Sequence, residues 1–198
     1  MSTAELVREH VMAKPYGTFL RPSDISGPRT AVFMALSRMA KEDGPLVRVS
    51  QGLYWKGVKS RFGKGSPSLF ESALAVAGLG AGPAEWSALL YLGLTTQIPA
   101  IVHVSVLGGP KVISGVRVSK RNNLQRVKLN PTEIAIMETL RGDWFLRIDG
   151  GARALVRIIN KLNNESSINI ERITSAIAGE RAPIVKERWS TLNITAGE

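Results

Sequence analysis

Eight polar residues between positions 29 and 56, namely Arg29, Thr30, Ser37, Arg38, Lys41, Arg48, Gln51 and Lys56, are the part of this chain best equipped for chemistry. That chemistry is recognition of an anion. Guanidinium groups bond to guanine edges and to phosphates, hydroxyls bond to either, and lysines neutralise backbone charge. Covalent catalysis has little to work with. The chain has no cysteine and two histidines, His10 and His103, far apart in sequence. Thiolate chemistry is therefore excluded, and carboxylates would have to supply most ligands of any metal. No nucleophile–base pair or carboxylate pair stands out. Glu71 and Glu85 sit at helix starts, where a favourable interaction with the helix dipole accounts for them. His103, on an apolar strand, reads as a core or edge histidine. The expectation is a binding protein, not an enzyme, with no cofactor and no metal.

These residues need a helix and a hairpin to present them. Within 27–43, Pro28 suits the first helical position. Val32, Ala35, Leu36 and Met39 recur at i, i+3, i+4 and i+7, which buries one face and turns Thr30, Ser37, Arg38 and Lys41 to solvent, with Arg29 at the rim. Two short strands, 46–49 and 53–55, follow across Ser50-Gln51-Gly52, a connection of hairpin length and glycine content. Upstream, Pro22-Ser23-Asp24 begins a short helical turn. The order predicts a winged helix-turn-helix over residues 1–60. Its third helix would enter a major groove, with Arg48, Gln51 and Lys56 of the wing on phosphates.

The charge balance agrees. The chain has 198 residues, a net charge of +10 and a sequence pI near 10.3, with 44% hydrophobic residues, enough for one good-sized domain or two small ones. From Arg29 to Lys64 the bases are Arg29, Arg38, Lys41, Arg48, Lys56, Lys59, Arg61 and Lys64, against Glu42 and Asp43. Such a local surplus favours a nucleic acid or an acidic protein as partner. The amino terminus lacks the apolar centre of a signal peptide and reads as a polar helix. The uncharged run 86–110 has the length of a membrane span. It contains Thr95, Thr96, Gln97, Pro99 and His103, and reads as buried core instead. No membrane partner and a cytoplasmic location are expected.

Residues 56–66 mix glycine with base and are predicted to link this unit to a mixed α/β domain over 67–198, giving an α+β chain overall. A helix starting at Ser66-Pro67 carries Leu69, Phe70, Ala73, Leu74 and Ala77 on one side. After a break at 78–82 the next has Pro83 in its first turn, Trp86, Leu89 and Leu90 as its apolar face, and Gly93 as its stop. The glycines at 78, 80 and 82 do not follow a strand, and Gly65 stands where a Walker loop needs Ser or Thr, so neither site reads as a nucleotide loop. Strands at 98–107 and 111–118, turned by Gly108-Gly109-Pro110, predict a hairpin. Asn130, Pro131 and Glu133 make a strong helix start, and further helices are expected at 151–162, 168–178 and 183–192. A second basic cluster, Lys111, Arg117, Lys120, Arg121, Arg126 and Lys128, fits a phosphate or acidic partner as well as it fits a solvated strand edge. The stripe Arg153, Arg157, Lys161 has the same two readings, with a solvated helix face ahead.

The series 32–39, Gly44, 46–54 and then Ala84-Glu-Trp-Ser-Ala-Leu-Leu-Tyr-Leu-Gly-Leu-Thr-Thr-Gln-Ile-Pro99 resembles the AbiEi family of bacterial antitoxins and transcriptional regulators. The most specific pieces are Gly52-Leu53-Tyr54 and 92–99, and the resemblance extends through Leu129 to Gly142. It implies an N-terminal winged helix on operator repeats of a toxin–antitoxin operon and a C-terminal domain that supplies antitoxicity. The implied partners are double-stranded operator DNA and a nucleotidyltransferase-like toxin, opposed with or without a stable complex. Two other readings stand beside it. One is a stand-alone winged-helix regulator whose second domain dimerises or senses a ligand; the other is a nucleic-acid-processing enzyme with divalent-metal-dependent turnover.

Overall fold

A computed structural model describes residues 1–41, 44–61, 63–108 and 113–194 as a mixed α+β chain. It divides into two compact units, Met1–Val76 and Ala77–Glu198, so the division falls after Val76, downstream of the 56–66 stretch.

In the first unit α1 (Thr3–Ala13) opens with a capping box. The Ser2 N–H donates to Glu5 at 2.7 Å and the Glu5 N–H donates to Ser2 Oγ at 3.3 Å. Val7 and Val11 of α1 join Val32, Ala35 and Leu36 of α2 (Arg29–Met39) in a core completed by Leu20, Ile25, Leu46 and Tyr54. The burial of α2 follows the apolar spacing, but its ends move inward. Pro28 is the cap residue instead of the first helical one, and Lys41 lies beyond the helix, past Ala40. Gly44 shows why the helix stops: the chain doubles back so closely that a Cβ there would lie 1.9 Å from the Met39 carbonyl oxygen.

Leu46–Ser50 (β2) and Leu53–Lys56 (β3) pair antiparallel around Gln51-Gly52, with Gly52 at φ +70°. A strand the sequence pattern did not disclose, β1 (Phe19–Leu20), pairs with the other edge of β3, Phe19 opposite Trp55. With the 3-10 turn Pro22–Asp24, the unit is a helix–helix–hairpin arrangement compatible with a winged helix. Beyond it the 56–66 stretch carries a backbone-paired ribbon, β4 (Lys59–Ser60) with β5 (Gly63–Lys64), before α3 (Leu69–Ala77).

The second unit has a sheet of β6 (Gly82–Pro83), β7 (Val102–Leu107) and β8 (Val116–Arg121), with α4 (Glu85–Tyr91) between β6 and β7. Pro83 thus belongs to a strand and not to a first helical turn. The buried side of α4 is Ser87, Ala88 and Leu89, while Leu90 is exposed. The predicted hairpin is corrected: β7 and β8 are parallel, Val102 opposite Val116 and Leu107 opposite Arg121. Period-two alternation is the same in either direction, so it carries no information on strand sense. The turn assigned to Gly109-Pro110, and Lys111, lie outside the described residues. The uncharged run 86–110 is shared among α4, irregular chain and β7, and among the described residues no helix is long and apolar enough to cross a membrane.

The axis of this unit is α5 (Pro131–Thr139), capped by Asn130 and Glu133 as the sequence indicates. From Glu133 onward it is buried on every side, packed with Leu155 and Ile159 of α6 (Gly151–Asn164), Ile173 and Ile177 of α7 (Ile170–Ala178), and Val185 of α8 (Pro183–Thr191). Two carboxylates are buried with it. Glu133 Oε1 accepts from the Asn169 N–H at 2.8 Å and from Arg172 Nη2 at 2.5 Å. Glu138 accepts from Arg121 Nε at 2.9 Å and Nη2 at 2.6 Å and from Arg126 Nη1 at 2.6 Å, with Arg141 Nε at 3.4 Å. Arg126, read from sequence as part of a basic surface cluster, is wholly inaccessible to solvent, and Arg121 is turned inward beside it.

Burial by itself would push the Glu138 carboxyl upward; the charge of Arg126 and the bonds and charge of Arg121 reverse this and hold it at about 2. A carboxylate depressed in the fold adds stability above its ordinary range and loses it as pH falls through the interval down to the folded value. The thermal midpoint of the second unit is therefore expected to drop between about pH 5 and pH 2. Glu138→Gln, which strands Arg126 without a counter-charge, should cost about 3–5 kcal/mol at neutral pH and flatten that acid limb. Unfolding followed by calorimetry across pH, in both proteins, measures each effect.

Candidate nucleic-acid interface

The exposed side of α2 is the side opposite Val32, Ala35 and Leu36, and it holds Arg29, Thr30, Met34 and Arg38. Its first turn meets the wing across an open cleft of about 630 Å³ lined by Arg21, Ser23, Arg29, Thr30, Phe33 and Gln51. No side chain caps the start of this helix, because Pro28 occupies the cap position. The positive end of the helix dipole therefore faces the cleft with two guanidinium side chains beside it, a setting that favours an anion. Phe33 is fixed as one wall by an edge-to-face contact with Tyr54, 6.4 Å between ring centres.

The predicted residues separate into groups here. Arg29, Thr30 and Gln51 converge on the cleft, and Arg48 is exposed on β2 in register with Tyr54. Arg38 is exposed but lines a different groove, with Arg8, Met12, Tyr16 and Met39, between α1 and the second half of α2. Lys41 is exposed beyond the helix end. Ser37 is half-buried: its Oγ lies 2.7 Å from the hydroxyl of the fully buried Tyr54, so it ties α2 to β3 and does not stand free for a ligand.

Lys56 is a correction. It is 4% exposed, and its Nζ donates to the carbonyls of Met12 at 2.9 Å and Lys14 at 2.5 Å while lying 5.1 Å from the centre of the Tyr16 ring. These carbonyls are left over at the end of α1, where the helix dipole is negative. A lysine next to Trp55 on a short strand looks like a wing base in sequence. The tertiary fold makes it the cap of another helix.

Two residues of this surface, Arg21 in the cleft and Met34 on the exposed side of α2, are not marked by the sequence pattern. Arg21 donates Nη2 to the Ala75 carbonyl, and its backbone N–H donates to Asp24 at 2.7 Å, which sets it at the mouth of the cleft. Its place before Pro22, where the chain is held extended, was the available signal. Met34 was passed over because it is apolar, although it falls on the solvent side of the same helical wheel that buries Val32.

Elsewhere the residues weighed for chemistry have structural partners. His103 is buried, its backbone N–H donating to Ser87 Oγ at 2.9 Å, and its Nδ1 lies 2.9 Å from Glu85 Oε2 without hydrogen-bond geometry. Glu85 sits at φ +54° in the first turn of α4, with Arg117 Nη1 3.8 Å away. Among the described residues no three histidines or carboxylates gather as a metal-binding group. Arg153, Arg157 and Lys161 are exposed on α6.

No family model matches the chain, and no curated protein matches it. Among solved structures it is similar to the crystal structure of RV2827C protein from Mycobacterium tuberculosis, at 16% sequence identity and a TM-score of 0.42, over 96% of this chain and 75% of that one.

Lys56→Met is expected to destabilise the first unit by about 1.5–3 kcal/mol, the worth of hydrogen bonds from a charged donor. The salt dependence of any nucleic-acid affinity should stay unchanged, because the slope counts neutralised phosphates and Lys56 faces none. Chemical denaturation and a salt titration of the same variant distinguish this from a wing lysine, whose loss would do the reverse.

Proposed function

We propose that the first unit is a winged helix-turn-helix that lays α2 in the major groove of double-stranded DNA and rests the β2–β3 wing on the backbone. The protein as a whole is read as an AbiEi-type antitoxin. It is a cytoplasmic, non-enzymatic repressor of its own operon that opposes a nucleotidyltransferase-like toxin. The observation carrying the DNA reading is the convergence of Arg21, Arg29, Thr30 and Gln51 on one cleft between the uncapped start of α2 and the wing turn. Arg48 and Arg38 are further exposed bases of the same unit, and the net charge of +10 favours the same class of partner. The antitoxin reading is supported by the resemblance of 32–54 and 84–99 to AbiEi sequences.

Affinity for duplex DNA should fall steeply with salt, each neutralised phosphate contributing ~0.9 to the logarithmic slope. Arg29→Ala and Arg48→Ala are each expected to lower that slope by about one. An affinity indifferent to salt, or slopes unchanged in both variants, would overturn the DNA reading. For the antitoxin, the neighbouring toxin is expressed from an independent promoter and the Arg29→Ala, Arg38→Ala double variant is supplied in trans. Protection of growth by a variant that no longer shifts operator DNA is the expected outcome. Loss of protection in a folded double variant would show that antitoxicity depends on the DNA-binding surface.

A further inference from the structure

We infer that Met34 reads the C5-methyl group of thymine, making it a sequence-determining residue of α2. The inference rests on the proposed DNA reading and adds a base to it. An isolated exposed apolar side chain needs no explanation by itself. The setting of Met34 is what separates it from that ordinary case. It is 49% exposed at the middle of an 11-residue helix, five residues after Arg29 and four before Arg38. At roughly 3.6 residues per turn their nine-residue spacing is about two and a half turns, so the two arginines project to opposite flanks of the helix with Met34 between them. When the buried stripe of Val32, Ala35 and Leu36 faces the core, the opposite side faces the groove floor. Met34 is its apolar centre, and the bases at its ends are placed for the backbone.

Side chains on a helix lean toward its N-terminus, so Met34 covers the surface over Thr30, next to the cleft walled by Phe33. Base edges in the major groove present donors, acceptors and a single apolar group, the thymine methyl. A thioether can approach that methyl and gains nothing from the other edges. An apolar protein partner fits this position less well, since Arg29 and Arg38 of the same helix leave exposed charge on either side of it.

The full chain is used to select duplexes from a random-sequence library, and each thymine of the preferred site is then replaced singly by uracil, which removes only the methyl. At one thymine per bound helix the wild-type affinity should fall about fourfold, the worth of one buried methyl-sized group. Met34→Ala should bind the thymine and uracil duplexes equally well and keep the wild-type salt slope; Met34→Leu should keep the discrimination. The inference is overturned if no uracil substitution weakens wild-type binding, or if Met34→Ala still distinguishes the two duplexes. Absence of any salt-dependent binding to DNA would overturn the underlying DNA reading along with it, and is told apart from the other failures by the salt titration alone.

Discussion

A carboxylate 1% exposed, on a helix buried on all sides, has to find its positive charge inside the protein, and Glu138 imposes that condition on most of the second unit. Arg121 comes from the end of β8, Arg126 from the 3-10 segment Leu124–Lys128, and Arg141 from just beyond α5. Arg126 also donates to the Gly80 carbonyl at 3.3 Å and to Ser105 Oγ of β7 at 2.5 Å, and Arg141 pairs with Glu180, which accepts from Asn123 at 3.0 Å. Sheet, central helix and the end of α7 are thereby held by one electrostatic arrangement. An ion cluster of this kind adds little net stability over an apolar core of the same shape, since desolvation offsets most of the attraction. Its effect is conditional: once the charges are buried, any displacement that separates them is costly, and the elements that carry them keep their relative positions.

The first unit uses the same physics with fewer charges. Two polar residues of β3, Tyr54 and Lys56, point inward and bind the ends and sides of helices, Tyr54 to Ser37 of α2 and Lys56 to the last carbonyls of α1. The sheet is therefore the part that orients α2. With one face of α2 packed on the core and Ser37 tied down, the remaining side is left to Arg29, Thr30, Met34 and Arg38, and the wing turn stands beside its first residues.

These attachments decide how much of the basic surplus is available to a partner. Arg121, Arg126, Arg141 and Lys56 are engaged inside the fold and the exposed Arg172 is paired with the buried Glu133, whereas Arg29, Arg38 and Arg48 remain at the surface. A charge of +10 thus overstates the surface field near some segments and locates it near others. The proposed recognition surface owes its character to this selection: in the first unit Arg29, Arg38 and Arg48 stay exposed and α2 starts without a side-chain cap, while Arg153, Arg157 and Lys161 are exposed on α6 of the second unit.

What the sequence determined by itself was local. The capping residues Asn130 and Glu133 mark a helix start, because the hydrogen bonds they make span only three residues. The spacing of Val32, Ala35 and Leu36 identifies which side of α2 is buried, and with it the exposed positions of Arg29, Thr30 and Arg38. Gln51-Gly52 marks the wing turn for the same reason, since its geometry is set by adjacent residues. Everything that depended on a distant partner was decided by the tertiary structure. The parallel sense of β8, the pairing of β1 with β3 and the inward turn of Arg121, Arg126 and Lys56 share one cause: a base, or a run of β-branched residues, has the same sequence signature whether it meets solvent or a buried partner. The carboxylates and carbonyls that draw those bases inward come from elements 12 to 44 residues away, and only the folded chain brings them within bonding distance.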